Sequence, residues 1–156
     1  MLSFDEPDLD ERRRLLDECE RLLRELANEA GLGWVTYLRG MTFIEEQNPD
    51  RAREVLEAAA DLFRRLGRRW EAVNAELDIG YALVTADEPA EALPLIKVVL
   101  VEAVDIGSPP QIIKALVLLA AIQTEADSRA ATRLLAKALT IADEEGSEPD
   151  LGSRAV

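Results

Sequence analysis

With 156 residues, 48% of them hydrophobic and 31% charged, the chain has the length and composition of one soluble globular domain with a sizeable core. Its net charge of −13 disfavours nucleic acid and anionic membrane surfaces, both of which require a basic face. The absence of histidine excludes Ser-His-Asp and Cys-His catalysis and His-ligated metal sites, and an aromatic content of only 4% points to an interior of small and aliphatic side chains, which suits packed helices.

Residues 1–7 read as a flexible tail, acidic and without the apolar run of a signal peptide. A leading helix is predicted over 8–30, where Leu15, Leu16, Cys19, Leu22, Leu23 and Leu26 recur at spacings of three and four, with Gly31 and Gly33 ending it. Cys19 is the only cysteine, so no intramolecular disulfide forms, and its place between Leu16 and Leu22 predicts a buried thiol. Three helix pairs follow, over about 33–66, 69–106 and 109–145. Asn48-Pro49-Asp50 and Asp87-Glu88-Pro89 mark the turns within the first two pairs, because the residue before proline avoids the α region and proline suits the first helical position. Ser108 and Gln111 have the spacing of a capping box around Pro109. A short break at 125–127 divides the third pair, and residues 147–156 form a second flexible tail, leaving 8–146 as one helical domain. No stretch alternates with period two, so the fold class is all-α, with about seven helices.

The pairs repeat. Ala52, Ala92 and Ala131 each precede a large aliphatic residue by four (Leu56, Ile96, Leu135), and that residue precedes a small or β-branched one by three (Ala59, Val99, Ala138). Gly40, Gly80 and Leu119 stand twelve residues before each anchor. The period of 39 to 40 residues indicates stacked helix pairs, which together present an extended surface. Small residues at these positions let two helices approach closely while Leu56 and Ile96 fill the space beside them.

These residues resemble tetratricopeptide repeats (TPR), and the long period with Leu-Phe-Arg-Arg-Leu-Gly at 62–67 is similar to the MalT-like subgroup. Leu119 departs from the family's glycine and implies looser contact in the third pair. The leading helix aligns with the second helix of a pair, with Leu16 and Cys19 where Leu56 and Ala59 fall. The resemblance implies an antiparallel helix-pair solenoid in a right-handed superhelical array, whose first helices line a groove. By the shared landmark the groove positions are Trp34, Tyr37, Met41 and Glu45; Asn74, Leu77, Asp78, Tyr81 and Thr85; and Ile113, Leu116, Ala120 and Gln123. It further implies a protein- or peptide-binding scaffold or sensor in a bacterial regulatory or signalling system. Glu45 and Asp78 oppose capture of a terminal carboxylate and favour a basic or apolar partner.

Other signals carry less. Gly31-Leu32-Gly33 lacks the rest of a phosphate loop. Asp5, Asp8 and Asp10 lack a calcium loop's glycine and terminal glutamate. Glu45-Glu46 reads as solvated surface, and Arg64, Arg65, Arg68 and Arg69 suit a helix C-terminus, where the dipole favours cations. The expectation is a cytoplasmic, non-enzymatic binding module without cofactor or metal, which contacts neither nucleic acid nor membrane. Its rival is an oligomerisation element that self-associates through its helical faces.

Overall fold

The computed structural model describes residues 8–123 and 128–146, and in them every regular element is a helix. The order is α1 (Leu9–Glu25), α2 (Glu29–Glu45), α3 (Pro49–Arg65), α4 (Arg69–Thr85), α5 (Pro89–Ile106), α6 (Pro109–Gln123) and α7 (Ser128–Gly146). The predicted tails at 1–7 and 147–156, and the break at 125–127, lie outside the described residues.

One device makes the five connections from α1 to α6. Ala27, Gln47, Gly67, Asp87 and Gly107 all have positive φ, between 50° and 72°. The next N–H returns to the carbonyl five residues back: Asn28 to Leu23 (2.9 Å), Asn48 to Phe43 (2.9 Å), Arg68 to Phe63 (2.8 Å), Glu88 to Leu83 (2.9 Å) and Ser108 to Ala103 (3.1 Å). This left-handed stop satisfies carbonyls left open at a helix end. The residue that closes one helix then starts the next. The Asn28 side chain accepts from the Gly31 N–H (2.9 Å) and Asn48 from the Arg51 N–H (3.3 Å). N-caps therefore recur every 20 residues, at Asp8, Asn28, Asn48, Arg68 and Glu88, half the pair period read from the sequence.

That device corrects the first boundary. The leading helix stops at Glu25 rather than near residue 30, the first pair begins at Glu29 rather than 33, and Gly31 and Gly33 lie inside α2. Both glycines are there for packing. A β-carbon on Gly31 would lie 2.5 Å from Leu23 Cδ2, and one on Gly33 2.7 Å from Phe63 Cε1. The left-handed residue that ends α1 is Ala27, which the glycines concealed.

Each helix packs on the next, and the first helices of the pairs also touch, α2 on α4 and α4 on α6. The seam within pairs is the predicted one. Ala52, Leu56, Ala59, Ala92, Ile96 and Val99 are buried. A β-carbon on Gly40 would meet Leu56 Cγ at 2.5 Å, and one on Gly80 would meet Ile96 Cγ1 at 2.8 Å. In the third pair Ala131 and Ala138 are buried, but Leu135, aligned with Leu56 and Ile96, is 42% exposed. The Leu119 side chain is itself buried at the place where the other pairs have glycine.

Two further expectations change. Cys19 is exposed, because α1 packs only on α2 and buries only Leu16. Ser108 and Gln111 serve a tertiary contact: the Trp70 indole N–H donates to Ser108 Oγ (3.2 Å), and Gln111 Nε2 donates to the Trp70 carbonyl (2.8 Å). Of the arginine cluster, Arg64 reaches Glu76 (2.7 Å) and Glu102 (2.8 Å), Arg69 reaches Asp105 (2.7 Å), and Arg68 pairs with Glu71. No described helix is long and apolar enough to cross a membrane.

Candidate partner-binding face

The predicted groove residues divide into an inner set that the protein itself consumes and an edge set that stays open. The inner set starts with Trp34, half-buried on α2, whose ring meets Phe63 (centroids 5.4 Å apart, planes at 67°) and Tyr37 (5.6 Å, 89°) edge to face. Tyr37 lies one turn along. Its hydroxyl donates to Asp78 Oδ2 (2.8 Å) and accepts from Asn74 Nδ2 (3.0 Å), both on α4. The other Asp78 oxygen accepts from Lys114 Nζ on α6 (2.6 Å). One buried carboxylate thus joins the first helices of all three pairs.

Asp78 is only 3% exposed, so it does not offer its charge to a partner. A carboxylate at that depth is tolerated because both oxygens are bonded and a cation lies against one of them. Burial first, and then the Asp78 carboxylate, push the Tyr37 phenol well above its ordinary value. Leu77, Leu116 and Ala120 are likewise buried and form floor rather than groove. Met41, Ile113 and Gln123 are half-buried. Lys114 was visible in the sequence only as a charge within an aliphatic run. Its spacing of 36 residues from Asp78, close to the pair period, is the signal that could have joined the two.

The edge set is Glu45, Tyr81 and Thr85. All three are exposed, and all three line one cleft of about 520 Å³ between the C-terminal ends of α2 and α4. Ile44, Gln47 and Pro49 complete most of its wall. Glu45 and Glu46 are not merely solvated: Arg12 of α1 pairs with Glu45, and Arg13 pairs with Glu46. Among the described residues no cluster of three or more metal-ligating side chains occurs. No known protein family, curated protein or solved structure matches the chain.

Proposed function

We propose that this chain is a non-enzymatic scaffold of the tetratricopeptide kind, close to the MalT-like long-repeat form, that binds a protein or peptide partner in a regulatory system. The observation that carries the reading is the open cleft at Glu45, Tyr81 and Thr85, lying where the first helices of successive pairs come side by side. In a helix-pair solenoid that side is the one a guest occupies. The 20-residue helix period and the glycine seams at Gly40 and Gly80 support the solenoid. Tyr81 is 42% exposed and supplies the large amphipathic contact typical of interface anchors. Comparing the proteins captured by the wild-type chain and by Tyr81→Ala tests the reading. Loss of at least one specific partner with Tyr81→Ala is expected; an identical partner set would remove the cleft from the proposal.

The rival reading, self-association, has one observation of its own: Leu15 and Leu22 of α1 and Leu26 at its C-cap are 50%, 42% and 74% exposed along one stripe that also holds Cys19. Sedimentation over a range of concentrations decides it, since a mass fixed at that of one chain leaves this stripe without a second copy.

A further inference from the structure

We infer that the cleft between α2 and α4 receives a lysine or arginine side chain from the partner segment, and that Arg12 is an internal competitor for the same carboxylate. The inference rests on the reading of the cleft as the partner site and adds the chemistry of its occupant.

Charge complementarity points to a cation. Among the described residues, Glu45 is the only charged one in the cleft wall. Helix α4, which ends there, has no basic residue in its last turn to offset the negative end of its dipole. Tyr81 offers an exposed ring at which an ammonium or guanidinium can rest. Ile44 and Pro49 suit the methylene stem of such a side chain. A cavity of about 520 Å³ holds one long side chain and the backbone that carries it.

The molecule already places a guanidinium at this carboxylate. Arg12 reaches Glu45 from α1, across 33 residues of sequence, and binds Oε2. An incoming basic side chain must share Glu45 with Arg12 or displace it. Removing Arg12 therefore improves binding, whereas removing Arg13, whose partner Glu46 is not in the cleft wall, provides the control with the same change in charge.

The test is a titration of the isotopically labelled full chain, followed by amide chemical shifts, with short blocked peptides of alternating arginine and glycine, glutamate and glycine, or leucine and glycine. The arginine peptide is expected to move the amides of Gln47, Tyr81 and Thr85. Glu45→Gln is expected to weaken binding about tenfold, through loss of a charge-assisted hydrogen bond. Arg12→Ala is expected to tighten it about threefold, the worth of an exposed ion pair. Equal tightening by Arg12→Ala and Arg13→Ala would overturn the competition, and indifference to Glu45→Gln would overturn the inference. If the leucine or glutamate peptide moves the same amides as strongly, the basic occupant is wrong while the cleft remains a docking site. If no peptide moves them, this inference fails, and the cleft is judged separately by the Tyr81→Ala capture experiment.

Discussion

Asp78 shows how far one residue's role departs from its apparent type. In sequence it is an acid on a predicted groove; in the fold it is a buried junction holding Tyr37 and Lys114. The consequence is measurable on Tyr37. Its folded-state pKa lies above the unfolded value of about 10, so the neutral phenol's contribution is intact below that pH and is lost as pH rises beyond it. With Tyr81→Phe, Tyr37 is the only tyrosine left. Its phenolate absorbance is expected to appear only together with loss of the helical circular dichroism in strong alkali. Ionisation completed while the helices remain intact would contradict the buried junction. The sequence placed Tyr37 and Asp78 on adjoining helices but not in contact, because hydrogen-bond pairing depends on how far each helix is rotated about its own axis.

Individual helices were the most legible level. Five of the seven, α3 to α7, begin and end within a residue or two of their predicted bounds, since proline, glycine and apolar spacing act locally. The α1–α2 boundary was missed because Ala27, a residue with no turn signature, takes the left-handed conformation that Gly67 and Gly107 take elsewhere. The glycine seam can be tested by a double-mutant cycle. Leu56→Ala alone is expected to cost about 2–5 kcal/mol. Gly40→Ala alone is expected to cost about 1–3 kcal/mol by overpacking, offset by up to about 1 kcal/mol of helix propensity. Together they should cost less than the sum by at least about 0.5 kcal/mol, because the new methyl fills space that the leucine vacates. Strict additivity in denaturant melts would mean that Gly40 and Leu56 do not touch.

Across the molecule, packing is uneven. Helix α4 touches α2, α3, α5 and α6, whereas α1 touches only α2. Besides Leu16 and the half-buried Leu23 against Gly31, α1 is held by exposed or half-exposed ion pairs, from Arg12 and Arg13 to Glu45 and Glu46 and from Asp17 and Glu20 to Arg39, each worth about 0–1 kcal/mol and weakened by salt. Amide exchange in α1 is therefore expected to run well ahead of α4, with the gap widening at high ionic strength; equal protection would mean that α1 is anchored by more than these contacts. The residue order alone determined the all-helical class, the pair period and the small-to-large seam, because each follows from the spacing of apolar and helix-stopping residues along one strand of chain. Three other outcomes emerged only from packing between distant segments: that Cys19 and Leu135 stand in solvent, that Asp78 turns inward, and that Arg12 meets Glu45. Burial and charge pairing depend on which segment arrives opposite, and local spacing does not carry that information.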